Sequence, residues 1–460
     1  MIEAWVESEL GGVDLGDKRR TRRVMRTVQT FWNRPNASIP EASGSVAEMQ
    51  AIYDLLSAPS TRAETIREAH ASATVKRVAD CGEVWVLQDS SELSFNTLEA
   101  TKGLGPLSGE YSRGLMMHSA MVVDPAGVPQ GLLHQEVWAR DPEEVGKSHD
   151  RRKRLIEEKE SQKWLTTVRV CQARLPASIR AWIIGDSESD IYELLAMPRR
   201  LGIELLVRAT HNRRVLDSEG AAYLWDSARA APVAGTIEVE LKRTPKRQAR
   251  TAKMEVRLCP ELQILRPRHK QKNTAVLAVS VSVVLVRELG ELPAGAERVE
   301  WLLVSTKSLA DFAAALSAVE AYVARWKVER YHYTLKSGCQ VEKLQLEHAD
   351  RIERAVALYS IVAWRLLFIT YLSRMSPDLP CTVALDEDEW KVLHRMAHPG
   401  KRLPPEPMNL RDAVRQIARL GGFLGRRSDG EPGVKVLWRG LRRLDDFVLA
   451  YRTLATPSYD

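Results

Sequence analysis

From Val84 onward the chain changes period, and that change limits its fold more than any other feature of the sequence. Residues 1 to about 75 read as short helices, at 18–32, 45–56 and 60–78, with turns at Pro35 and Pro40. Strand-length apolar segments then begin. Residues 84–88 end at Asp89, and 115–123 and 131–138 flank the turn Asp124-Pro125-Ala126-Gly127 as a hairpin. A helix over 157–173, a buried strand over 181–184 ending at Gly185-Asp186, a helix from Asp190 and a strand over 204–208 follow. Strands followed by strands alternating with helices specify a mixed α/β sheet. Between Arg208 and Trp301 the alternation stops, and segments at 235–241, 254–258, 274–286 and 301–304 read as strands of an inserted β-rich subdomain at about 209–305. A helix over 309–337, with Gly338 just beyond it, returns the chain to the α/β core. The expected divisions are a helical domain at 1–75, an α/β domain at 76–372 and a helical region at 373–460, with helices at 409–420 and 437–453.

Tyr322, Arg325, Glu329 and Lys336 stand 3, 4 and 7 residues apart on the 309–337 helix. At about 100° per residue they fall within roughly a 60° stripe. One face then offers a carboxylate beside a phenol, a guanidinium and an ammonium. A carboxylate holds a hard divalent cation, Arg and Lys suit phosphate oxygens, and Tyr stacks or hydrogen-bonds, which together suit work on a nucleic-acid backbone. The plain alternative is a solvated face on which Arg325 and Glu329, four apart, neutralise each other.

The 460 residues carry a net charge of +7 and a pI near 9.1, which favours polyanionic partners. The charge is clustered at Lys18, Arg19, Arg20, Arg22, Arg23 and Arg26, at Arg151, Arg152, Lys153 and Arg154, at Lys242, Arg243, Lys246, Arg247 and Arg250, and at Arg266, Arg268, Lys270 and Lys272. Several such runs point to a nucleic-acid surface. With 44% hydrophobic and 28% charged residues the balance is globular, which excludes disordered and fibrous classes. Five scattered cysteines, Cys81, Cys171, Cys259, Cys339 and Cys381, have neither zinc nor disulfide spacing and fit a reduced cytoplasm. The apolar stretch 355–372 contains Arg365 and reads as a buried core helix; the first ten residues lack a signal pattern, so no membrane is expected.

Asp89 and Asp186 each end an expected strand, where side chains point into the crevice beside an open sheet. A lone strand-end aspartate is equally explained as a cap, and Asp190 reads as the cap of its helix. If Asp89, Asp186 and Glu329 converge, they repel one another unless divalent cations compensate them, and two such cations activate an attacking hydroxyl and stabilise the leaving oxygen.

At these positions the chain resembles the bacterial DDE transposases of insertion-sequence family four, whose best-known member mobilises a composite kanamycin-resistance transposon. Leu15-Gly16-Asp17 with Arg19, Arg20 and Thr21 resembles the end-binding segment of that family. Gln88-Asp89-Ser90-Ser91 resembles the first catalytic aspartate, Gly185-Asp186-Ser187-Glu188-Ser189-Asp190-Ile191 the second, and Tyr322, Arg325, Glu329 and Lys336 the Y-(2)-R-(3)-E-(6)-K signature. Residues 131–136 and 417–423 also match its pattern.

The resemblance implies a ribonuclease-H-like catalytic core with a β-rich insertion, an N-terminal domain binding transposon ends through residues such as Arg19, Arg20 and Arg23, and a C-terminal dimerisation region. It implies that Asp89, Asp186 and Glu329 hold two magnesium ions, replaceable by manganese. It also implies cut-and-paste chemistry by nicking, hairpin formation, hairpin opening and strand transfer, on double-stranded DNA, within a synaptic homodimer associated with the bacterial nucleoid. Trp301 then stacks a flipped base, although its strand pattern alone makes it a core residue; Tyr322, Arg325, Lys336 and Arg208 grip phosphates. One departure is Tyr333, where the relative carries lysine, with Arg330 beside it as a substitute charge. Two other readings compete: a ribonuclease-H-like nuclease without strand transfer, which needs no base-flipping Trp, and a silent DNA-binding regulator, which needs no acidic set.

Overall fold

The computed structural model describes residues 2–144, 154–217, 220–241, 249–267, 278–292 and 296–455. Arg151, Arg152, Lys153, Lys242, Arg243, Lys246, Arg247, Arg268, Lys270, Lys272 and the first residues of the strand expected at 274–286 lie outside the described residues. The chain divides into two compact units. One comprises Met1–Cys81, Ser90–Gly146 and Lys327–Asp460, the other Gly82–Asp89 and Lys147–Trp326. Strand β1 (Glu83–Ser94) passes from one to the other between Asp89 and Ser90.

In the first unit the helix Lys18–Asn33 starts where Asp17 accepts a hydrogen bond from the backbone N–H of Arg19 at 2.8 Å. Val24, Val28, Phe31 and Trp32 bury one face, while Lys18, Arg19, Arg22, Arg23 and Arg26 are exposed on the other. Phe31 stacks on Tyr359 with ring centroids 4.1 Å apart, fixing this helix to Ala349–Met375. That long helix is the expected core helix. It is long and apolar enough to cross a membrane, yet 83% of its most apolar window is buried inside the protein. Arg365 is accommodated within it by donating to the Val383 carbonyl at 2.8 Å and lying over the rings of Trp5 and Phe368 at 5.1 and 5.2 Å. Burial pushes its guanidinium down to about 10. The helix expected from Ser60 begins at Ala63 instead, because the N–H of Thr61 closes a turn on the Ala58 carbonyl at 2.9 Å.

β2 (Gly105–Pro106), β3 (Arg113–Val123) and β4 (Pro129–Trp138) form the antiparallel part of this unit, with the second half of β1 next to β3. The expected hairpin is therefore present. Gly131 has φ +148°, and a Cβ there would lie 1.9 Å from Thr74 Oγ1, so only glycine lets β4 approach the helix Ala63–Val78. The C-terminal helices are Glu387–Ala397, Leu410–Leu420, capped by Asn409, and Val434–Ala455.

In the second unit the first half of β1 pairs in parallel with β5 (Arg180–Gly185), which pairs in parallel with β6 (Ile203–Arg208). β5 is buried on both faces after Arg180, as a central parallel strand must be. The remaining strands are β7 (Arg214–Asp217), β8 (Gly220–Tyr223), β9 (Val233–Leu241), β10 (Arg250–Leu265), β11 (Ala278–Glu288) and β12 (Glu300–Ser305). The sheet runs β1-β5-β6-β12-β11-β10-β7-β8, with β9 paired to β10. β7, β8 and the helix Leu224–Ala230 add to the expected strands, and β10 extends well beyond 254–258. Pairing to both β9 and β11, with a register shift between Cys259 and Leu262, carries β10 through polar positions that break its apolar run. A large mixed sheet with helical N- and C-terminal regions is compatible with a ribonuclease-H-like core.

Four expectations change around the acidic residues. β1 continues through Asp89 to Ser94, so Asp89 is an interior strand residue. The helix expected from Asp190 is the short Tyr192–Ala196, preceded by Ile191, and the helix expected at 157–173 is Gln162–Arg174. The stretch 309–337 is not one regular helix: it comprises Phe312–Ala324, Trp326–Tyr333 and a π turn Thr334–Gly338. The break at Arg325 follows from its N–H bonding back to the Tyr322 carbonyl at 3.1 Å. The π turn closes through Cys339 N–H to the Thr334 carbonyl at 2.9 Å.

Candidate active site

In the second unit a chain of contacts links Trp301, Tyr322, Arg325 and Asp89. Trp301 is half-buried on β12, where strand pairing to Val286 fixes its backbone. Its ring lies 6.0 Å from that of Tyr322, tilted by 58°. The Arg325 guanidinium sits 5.8 Å from the Tyr322 ring centroid and 3.5 Å from Asp89 Oδ2. Both charged side chains are only 14% exposed, so the pair is poorly screened and holds the carboxylate in place. Arg325 thus pairs with Asp89. An aromatic pair next to a guanidinium suits a nucleotide, its base against the rings and its phosphate on the planar fork.

Asp186 follows β5 and is half-exposed. Its Oδ1 accepts from the Glu188 N–H at 2.9 Å, capping the 3₁₀ turn Ser187–Ser189. The cap reading of Asp186 therefore holds, and among the described residues Oδ2 has no hydrogen-bond partner. Asp190 caps no helix. It is buried and accepts from the N–H groups of Thr210 and His211, each at 2.8 Å, and from Arg213 at 2.6 Å. Burial disfavours its charge, but Arg213 and the His211 N–H outweigh burial and hold its carboxyl below the usual range. Arg208 ends β6 half-buried, with no hydrogen bond or ion pair among the described residues.

Glu329 belongs to the first unit, half-buried on the helix Trp326–Tyr333. Residues around it anchor that helix. Lys327 Nζ lies 5.6 Å from the Tyr371 ring, and burial pushes its ammonium down despite Asp124. Gln135 Nε2 donates to Tyr331 Oη at 2.8 Å and to Ser119 Oγ at 3.2 Å, and accepts at Oε1 from Ser360 Oγ at 2.9 Å. His332 Nε2 is 3.3 Å from Ser119 Oγ. A satisfied buried polar network of this kind fixes one packing arrangement. Sequence reading missed it; Gln135 in the segment 131–136 was the available signal.

Lys336 stands in the π turn and donates to the Glu92 carbonyl at 2.8 Å, with Glu342 at 3.5 Å. At the departure Tyr333, Arg330 lies 4.9 Å over the phenol ring, which itself is 5.9 Å from that of Trp438. Arg19, Arg20 and Arg23 lie on Lys18–Asn33, Arg19 and Arg23 exposed and Arg20 half-buried, reaching the Leu15 carbonyl at 3.5 Å. Among the described residues no three His, Cys, Asp or Glu side chains are gathered into a group that could hold a metal ion.

Residues 2–61 match the family described as transposase DNA-binding, and residues 361–459 match the transposase Tn5 dimerisation domain. Together the two matches support a Tn5-like DNA transposase. The exposed arginines of Lys18–Asn33 fall inside the first match, which supports DNA as a partner. The helices from Ile361 onward fall inside the second, which supports a homodimer.

Proposed function

We propose that the chain is a DDE transposase of insertion-sequence family four that moves DNA by cut and paste. The contact series Trp301–Tyr322–Arg325–Asp89 carries this reading, because it sets a stacking surface and a phosphate-binding cation beside a carboxylate. Asp89, Asp186 and Glu329 would hold the divalent cations, two magnesium ions with manganese as a substitute. Their donors are all carboxylate oxygens, none of these residues is fully buried, and among the described residues one oxygen of Asp186 is uncommitted, so the set fits a hard cation in kind. Bound there, such cations lower the pKa of an attacking water or 3′-hydroxyl and stabilise the leaving oxygen.

The chain's own residues bind and orient the DNA. Arg19, Arg20 and Arg23 contact the backbone of the transposon end. Trp301 stacks a base taken out of the helix, which allows the sharp bend that a hairpin requires. Tyr322, Arg325, Lys336 and Arg208 hold adjoining phosphates, and Arg325 exchanges Asp89 for phosphate when DNA arrives. The functional divisions are end binding at 1–75, catalysis at 76–372 and dimerisation at 373–460, in a cytoplasmic, nucleoid-associated enzyme. Each protomer cuts the end held by its partner.

The test incubates labelled end duplex, taken from the inverted DNA flanking the gene, with purified protein and magnesium, beside Asp89→Ala. Nicks and hairpins on a denaturing gel from the wild type alone support the reading. Binding without cleavage, with manganese and paired ends present, favours the silent regulator; nicking without hairpins favours the nuclease.

A further inference from the structure

A cavity of about 440 Å³ in the first unit is lined by Asn36, Gly421, Gly422, Arg439, Arg442, Arg443 and Asp446. It joins the turn after the basic helix to the C-terminal end of Leu410–Leu420 and the middle of Val434–Ala455. The close packing of those helices shapes it: a Cβ on Gly440 would lie 1.8 Å from the Ile417 carbonyl oxygen, so glycine there brings Val434–Ala455 against Leu410–Leu420. Two of the charges at the cavity are neutralised within the protein. Asp446 accepts from Arg34 at 2.9 Å, and Arg442 pairs with Glu41. The other two arginines have no carboxylate partner among the described residues. Arg443 donates to the Leu420 carbonyl at 2.6 Å, and the Arg439 side chain is exposed without a hydrogen bond or ion pair among the described residues. Asn36 Oδ1 is buried and also lacks a hydrogen-bond partner among the described residues.

We propose that this cavity binds a backbone phosphate of DNA through Arg439 and Arg443. The site therefore adds a DNA contact from the segment matched to the dimerisation domain. Two uncompensated guanidinium forks suit phosphate oxygens. Asn36 belongs to the segment matched to the DNA-binding family, so a duplex bound by that segment passes close to the cavity. The inference rests on the reading of this chain as a DNA-binding transposase.

The experiment measures binding of a labelled duplex of arbitrary sequence by fluorescence anisotropy across a potassium chloride series, for wild type, Arg439→Ala and Arg443→Ala. The Arg439 side chain has no partner to lose among the described residues, so its variant keeps the wild-type melting temperature. The expected result is affinity lower by on the order of fivefold and a logarithmic salt slope shallower by about 0.9 for each phosphate that the variant no longer neutralises. Wild-type affinity and slope in both variants would overturn the proposal. Thermal stabilisation by inorganic phosphate at matched ionic strength, absent from Arg439→Ala while duplex binding is unchanged, would overturn it as well and assign a small-anion pocket. Wild type that binds no duplex sinks the proposed function together with the phosphate site, whereas normal wild-type binding with unaltered variants sinks the phosphate site alone.

Discussion

The two ends of the segment after β5 use the same side chain in opposite ways. Asp190 has both oxygens committed, to two backbone N–H groups and to Arg213, and is buried. Asp186, four residues earlier, is half-exposed and caps one turn through one oxygen. A carboxylate whose hydrogen bonds and countercharge are all supplied by the protein is a structural fixture; one with an accessible oxygen is available to a ligand. Sequence spacing alone gave Asp190 the cap and left both roles open for Asp186.

The comparison can be broken most sharply at Asp186 itself. Asp186→Asn should lower the nicking rate by on the order of a thousandfold, equivalent to several kcal/mol of lost transition-state stabilisation, with duplex affinity unchanged. Single-turnover nicking on end duplex measures it, and a rate within tenfold of wild type would remove Asp186 from the acidic set. Asp190→Asn should instead act on the fold. It strands Arg213 in a buried position and should cost about 3–5 kcal/mol of stability, read as a drop in urea midpoint. A variant as stable as wild type would mean that the Asp190 cluster is not a fixture.

The same pair has a pH signature. The folded pKa of Asp190 lies below its unfolded value, so its stabilising contribution is complete above the unfolded pKa and disappears as pH falls through the folded value. Wild type should lose more stability than Asp190→Asn as pH falls below the ordinary carboxylate range, where the unfolded carboxylate and then the folded one gain protons. Parallel curves would contradict the depressed pKa. Two smaller effects complete the comparison. Asp186→Ala should cost about 1 kcal/mol for its cap. Glu188→Ala, with a side chain 64% exposed and 3.8 Å from Lys163, should stay within about 0.5 kcal/mol of wild type.

Much of the fold was legible because period and punctuation agree. The Asp124-Pro125-Ala126-Gly127 turn between apolar runs produced the hairpin, the all-apolar run after Arg180 produced a buried parallel strand, and Val24, Val28, Phe31 and Trp32 produced an amphipathic helix with its arginines outward. What was not legible depended on partners distant in sequence. Ser90, Ser91 and Glu92 interrupt the apolar run that reads as a strand, yet β1 persists to Ser94, with the N–H of Phe95 bonded to the Arg113 carbonyl at 3.0 Å. Helical spacing makes Arg325 a neighbour of Glu329 but gives no sign of its ion pair with Asp89, far away in sequence. Gln135 gives no periodic signal, because its role is set by Tyr331, Ser119 and Ser360 from other elements.

By itself the sequence determined the classes of residue available: an outward basic helix, apolar strands long enough for a mixed sheet, and acids and aromatics at ordered positions. These follow from local period, capping and charge, which need no knowledge of the tertiary arrangement. Only the tertiary structure decided which charges are consumed internally and which remain for a ligand. Arg365 is spent on a carbonyl and two rings and Asp190 on Arg213 and two amides, while the Arg439 side chain and the Oδ2 of Asp186 have no hydrogen bond among the described residues. That division depends on burial and on partners brought from distant segments, because the cost of an unpaired charge is set by the dielectric around it and not by its place in the chain.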